Sequence, residues 1–231
     1  MIQFFKALFF IFLIVLTGCQ STENQAHDDL IFNGKDLTGW HIYNQGNIPS
    51  KWKVSDGELI CDPKSTGVFG DIITDQEYEN FELEFEWKVS KGGNSGVFIN
   101  VKEDAAYAAT FATGLEMQLL DNKNAEPRHQ VDSTHWAGCL YAVDCLGSAS
   151  KPKPFNEWNQ GKIRQENGQV TFWLNDQITF QDDVLSSEFR EKVSQTNMVN
   201  YPGFGTFKKG KIAFQNHTDS VGFRNILLRK L

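Results

Sequence analysis

Residues 81–90 read FELEFEWKVS, and the alternation is unbroken. Phe81, Leu83, Phe85, Trp87 and Val89 fall on one side, and Glu82, Glu84, Glu86 and Lys88 on the other. A period of two belongs to a strand with one face in a core; a helix would scatter these apolar side chains around its circumference. The pattern recurs at Val170, Phe172 and Leu174, over 211–217 (KIAFQNH), and over 221–231 (VGFRNILLRKL). Turn signals separate the runs: Asp56-Gly57, Lys91-Gly92-Gly93-Asn94, Asn167-Gly168 and Asn175-Asp176. Asn167-Gly168 is the strongest hairpin signal, because a type I′ turn needs positive φ at both central residues. One short peripheral helix is expected in SSEFREKVSQ, with Ser186 or Ser187 as N-cap and Phe189 and Val193 four apart. The fold class is therefore all-β, an antiparallel β-sandwich of two packed sheets, jelly-roll-like.

The ends set the compartment. Residues 1–18 carry Lys6 as their one charge, then an apolar run from Ala7 to Leu16, which is a signal-peptide layout. Leu16-Thr17-Gly18-Cys19 resembles a bacterial lipobox, so Cys19 is the expected site of lipidation. Gln20, where an Asp would favour retention, points to the outer membrane, on its periplasmic or its surface side. Residues 19–29 are polar and aperiodic and read as a flexible tether, leaving 30–231 as one domain. The chain has a net charge of −7, which becomes −8 without the leader, and it has no basic block. Nucleic acid and anionic membrane surfaces are poor partners for it. Beyond Cys19, three cysteines remain. Cys139 and Cys145 can pair in an oxidising compartment, but spacing alone does not establish the geometry.

Four features can carry chemistry. In GLEMQLLDN, 114–122, Leu115, Met117 and Leu119 alternate with Glu116 and Gln118, and Asp121 follows. That polar face is either solvated sheet or the floor of a ligand cleft. In KGGNSGVFIN, 91–100, a glycine-rich turn is either a plain hairpin or a way to bring Asn94 and backbone N–H groups to a ligand. Trp173 shares its face with Thr171 and Asn175; it is either a platform for a sugar ring or packed under a loop. Among the histidines, His129 and His135 lie in the irregular segment after 122, and His217 shares a strand face with Gln215. With Glu116 and Asp121, His135 and His217 offer the paired groups that proton transfer requires.

Seven segments, in order, carry a resemblance: LIFNGKDLTGW (30–40), WKVSDGELIC (52–61), YENFELEFEWKVSKGGNSGVFI (78–99), GLEMQLLDN (114–122), HWAGCLY (135–141), KPFNEWN (153–159) and KGKIAFQNHTDSVGFRNILLRKL (209–231). Together they resemble the family catalogued as domain of unknown function 1080 and now called 3-keto-disaccharide hydrolases. The chain departs from the family at Cys139, where members commonly carry Ala. It departs again at Asn216 and Thr218, where they usually carry Asp and Gly. By parity, residue 216 lies opposite Gln215 and His217 and so reads as structural.

The resemblance implies a concanavalin A-like lectin/glucanase sandwich acting on glycosides whose sugar is already a ketone at C3. Such a ketone acidifies the C2 hydrogen, so a base can remove it, the C1 substituent is eliminated, and water adds back. The expected catalytic residues are Glu116 and His135 as base or acid, with Asp121 orienting. Gln118, Asn94, Trp173, His217 and Arg224 are the expected substrate-binding residues, Arg224 being alternatively a structural ion pair. The sequence requires no cofactor; a divalent metal beside Glu116, Asp121 and His135 is compatible with it. The alternatives are a non-catalytic carbohydrate-binding lipoprotein of the same fold and a conventional glucanase, although the Glu-x-Asp-x-x-Glu strand of one glucanase group is absent.

Overall fold

The computed structural model describes Met1 and residues 28–231. The leader, Cys19 and the tether up to residue 27 lie outside the described residues. Two antiparallel sheets face each other, as the alternation requires. The larger has eight strands. They are β1 (Asp28–Leu30), β3 (Trp52–Ser55), β4 (Glu58–Cys61), β6 (Phe81–Val89), β9 (Asn159–Glu166), β10 (Gln169–Leu174), β11 (Gln177–Asp183) and β13 (Val221–Lys230). Its order is β11-β10-β9-β6-β13-β4-β3, with β1 on the far half of β13. Residues 28 and 29, read as tether, thus belong to the edge of the sheet.

The smaller sheet has five strands in the order β2-β5-β12-β7-β8. These are β2 (Trp40–Ile42), β5 (Ile72–Thr74), β7 (Asn94–Val101), β8 (Leu115–Leu120) and β12 (Lys211–Phe214). Phe81, Leu83, Phe85, Trp87 and Val89 are all buried between the sheets. Phe214 of the smaller sheet stacks on Phe223 of the larger, with centroids 4.3 Å apart, and on Trp40 at 5.1 Å. Each such ring removed from water stabilises by roughly 1.5–3 kcal/mol.

The outer faces differ. On the larger sheet, Glu82 meets Lys162, Arg164 and Arg229 at 3.0–3.4 Å, and Lys88 meets Glu58. That face is a lattice of structural ion pairs. On the smaller sheet, every residue of β7 and β8 is buried, so both of its faces are covered.

The hairpins follow the sequence. Asn167 and Gly168 have φ of 51° and 89°, as a type I′ turn demands. The helix α2 (Ser187–Ser194) is capped by Ser186, whose Oγ accepts from Phe189 N at 3.0 Å, and it buries Phe189 and Val193. From it Arg190 donates to the carbonyls of Phe204 and Gly205, fixing the loop that follows Tyr201. A shorter helix, α1 (Pro127–Gln130), lies in the segment read as irregular.

Candidate active site

The outer face of the smaller sheet is the floor of a cleft of about 340 Å³. Strand register puts it there. Glu116 opposes Phe98 and Gln118 opposes Gly96, so both polar side chains stand on the face away from the core. Gly96 is required by close approach: a Cβ there would overlap the Glu116 carboxyl group. Asn94 begins β7, and Gln215 continues β12, its N–H donating to Gly96 O at 2.9 Å. His217 follows two residues on, and all five side chains line the cleft.

A wall is added by residues 138–141, which pair with β8. Gly138 N donates to Gln118 O at 2.7 Å, Gln118 N to Cys139 O at 3.0 Å, and Tyr141 N to Glu116 O at 3.0 Å. Tyr141 therefore stands directly opposite Glu116, where cross-strand side chains are neighbours. The Cys139–Cys145 disulfide, with Cα atoms 4.8 Å apart, closes this segment. Its pairing agrees with the sequence reading, and Cys61 is a buried free thiol whose pKa burial pushes up to about 12.

The site is electrostatically unusual. Glu116 is 6% exposed, and none of the described side chains or backbone groups hydrogen-bonds its carboxyl. Burial, with the neighbouring charge of Asp71 added, holds its pKa well above the usual carboxyl range. Burial and then the field of Glu116 raise the Tyr141 phenol, which keeps it protonated. Burial, Arg128 and His135 lower His129 to about 4, so it is neutral and its Nε2 accepts from Asn94 Nδ2 at 3.4 Å. Asn94 Oδ1, Gln118 Oε1, Gln215 Oε1 and His217 Nδ1 are buried and have no hydrogen-bond partner. Four orphan polar atoms in one cleft are costly unless water or a hydroxyl-bearing ligand satisfies them.

The expected residues fare unequally. Glu116, Gln118, Asn94 and His217 converge. His135 stands behind the wall, stacked on the Tyr141 ring at 4.8 Å, with Nδ1 against Arg128 O at 3.2 Å. Asp121 does not reach the cleft. Its carboxylate accepts from Gly92 N at 2.9 Å and Asn124 Nδ2 at 2.7 Å, tying down the β7–β8 end. Trp173 and Arg224 lie on the other sheet. Lys162 sits over the Trp173 ring, and Arg224 pairs with Glu86 at 2.6 Å while covering Trp158. The ion-pair reading of Arg224 is the one the geometry bears out. Glu116, Asp121 and His135 thus do not form a cation site, and no three His, Cys, Asp or Glu side chains among the described residues do.

Sequence reasoning passed over Tyr141, although it lies in a segment quoted for the resemblance. It also passed over Phe111, Arg128, Asn197, Met198 and Tyr201, which reach the cleft from α1, from short 3-10 turns and from the segment after them, too short for a periodic signal.

The sandwich and its cleft fit a carbohydrate-active enzyme, the class that the sequence and structural relatives support. The chain belongs to the family of 3-keto-alpha-glucoside-1,2-lyase-like domains, whose model matches residues 28–229. A 3-keto-disaccharide hydrolase of Bacteroides thetaiotaomicron is 33% identical over 227 residues, covering 87% of this chain and 77% of that protein. A Parabacteroides distasonis crystal structure, provisionally assigned as a glycosyl hydrolase, is 32% identical with a TM-score of 0.79, covering 88% of this chain and 94% of that one. A second from the same organism shares the fold at 22% identity and a TM-score of 0.66, covering 89% and 100%.

Proposed function

We propose that the protein cleaves the glycosidic bond of 3-keto-glycosides by elimination and rehydration. One observation carries the reading: the acidic residue lining the cleft is Glu116, unpaired and with a raised pKa, set opposite a protonated tyrosine. Ordinary glycosidases need two carboxyls about 5–9.5 Å apart. The nearby carboxylate of Asp71 is already engaged by Thr110 Oγ1 and Asn216 N. A carboxyl whose pKa burial raises is a stronger base once ionised, which suits removal of a proton α to a ketone.

In this reading Glu116 takes the C2 proton, and the electron pair passes through the C2–C3 bond onto the ketone oxygen. The Tyr141 hydroxyl donates to that oxygen as its charge grows. Collapse of the enolate forms the C1–C2 double bond and breaks the C1–O bond; the aglycone oxygen leaves with the electron pair as its anion and takes its proton from water. Water then adds across the double bond, hydroxyl to C1 and proton to C2. Asn94, Gln118, Gln215 and His217 bind sugar hydroxyls, and His135 holds the Tyr141 ring in place. No step is routed through a metal. The lipobox-like Leu16–Cys19 supports export and anchoring in the cell envelope.

The test is turnover of a 3-keto-glucoside and of the parent glucoside. Glu116→Gln keeps size but removes basicity, so turnover of the ketone should fall roughly 10²–10⁴-fold. Glu84→Gln, on the ion-pair face, is the control. Full activity in Glu116→Gln sinks the assignment.

A further inference from the structure

Beside the polar cleft lies a second chamber of about 710 Å³, and the two share Phe111 and Tyr201. These rings meet edge-to-face, centroids 5.2 Å apart, and Phe111 is 37% exposed. The remaining walls include Tyr107, Ala108, Ala109 and Pro202, and no charged or amide side chain lines the chamber. The groove is therefore divided by chemistry: orphan amides, an imidazole and a carboxyl on one side of the ring pair, apolar surface on the other.

The chamber is preformed. Tyr107 O accepts from Tyr43 Oη and from Asn44 Nδ2, both at 3.0 Å. Gly205 N donates to Thr113 O at 2.9 Å, and Gly203 packs so closely that a Cβ would meet the Tyr107 ring at 3.0 Å. A wall already ordered costs little to fill.

We propose that this chamber is the aglycone subsite and that it selects an apolar, planar aglycone, such as a phenolic or polycyclic aryl group. The proposal rests on the elimination reading above. A second sugar would bring hydroxyls that the chamber's side chains satisfy only through Thr206 and the tyrosine hydroxyls, whereas an aryl group needs no partner. The leaving-group chemistry points the same way. The chamber offers no carboxyl or imidazole to protonate a departing alkoxide, while a phenol ionises near pH 10 and departs as phenolate without such help.

The experiment uses the full chain and three 3-keto substrates of one anomeric configuration, carrying methyl, glucosyl or 2-naphthyl as aglycone. The expected kcat/KM is at least tenfold higher for naphthyl than for methyl, with glucosyl between. Ala109→Trp, which fills the chamber from an extended backbone position (φ −151°), should bring the naphthyl-to-methyl ratio to about one. Ala108→Asp, placing a charge on an exposed wall residue, should do the same if Ala109→Trp fails to fold. Fluorescence titration with the unoxidised naphthyl glucoside reads the chamber without turnover. Saturable binding lost in either variant supports the subsite even if no ketone is cleaved, in which case the elimination reading alone falls. Equal kcat/KM for naphthyl and methyl, or a preference for glucosyl, overturns the subsite while leaving the elimination intact.

Discussion

At the scale of single residues, burial of Glu116 links function to stability. Its ionised form is the costly one in the fold, and the unfolded chain ionises near 4.5. The stability this side chain supplies is complete below that pH and is lost as pH rises through the raised folded value. Glu116→Gln should therefore melt higher than wild type near and above neutrality and level with it near pH 4, as thermal melts across pH would read. A wild-type advantage at high pH would contradict the raised pKa. Thr218 is a second residue under tension. Its φ is 71°, left-handed for a β-branched side chain, and its N–H donates to Asn216 Oδ1. The resemblance expects Gly at this position. Thr218→Gly should stabilise by about 0.5–1 kcal/mol, the strain relieved less the added chain entropy. Denaturant melts check it, and an unchanged midpoint would show that the loop bears the strain without cost.

At the scale of elements, alternation made the strands legible, because period two reports which side chains share a face. It does not report which sheet a strand joins. Trp173 was read correctly as lying on a polar face, but that face belongs to the ion-paired sheet. Asp121 failed for another reason: it lies one residue past the end of β8, where the chain turns and parity lapses. Tyr141 was hidden because only the pairing of 138–141 with β8 sets it opposite Glu116, 25 positions earlier in sequence. The disulfide holds that wall. Closing so short a loop contributes about 2 kcal/mol on the chain-entropy account. Replacing Cys139 and Cys145 with serine should lower the Tm by about 4–8 °C, and should lower kcat for the ketone through a loosened Tyr141. An unchanged Tm and kcat would make the bond incidental to the site.

For the whole molecule, the sandwich separates support from chemistry: one outer face is locked by ion pairs, the other is roofed by loops over buried polar groups. The lipobox-like Leu16–Cys19 is the ground on which we propose anchoring in the cell envelope. Cys19→Ser should yield protein that no longer partitions with membranes after carbonate washing, and retention there would remove the lipid anchor from the account. The central claim is proton abstraction at C2, and deuterium reads it directly. A methyl 3-keto-glucoside cleaved in D₂O by wild-type protein should give a 3-keto sugar labelled at C2, with label and cleavage falling together by roughly 10²–10⁴-fold in Glu116→Gln. Cleavage that leaves the C2 proton in place would mean direct displacement at C1, and would contradict the account.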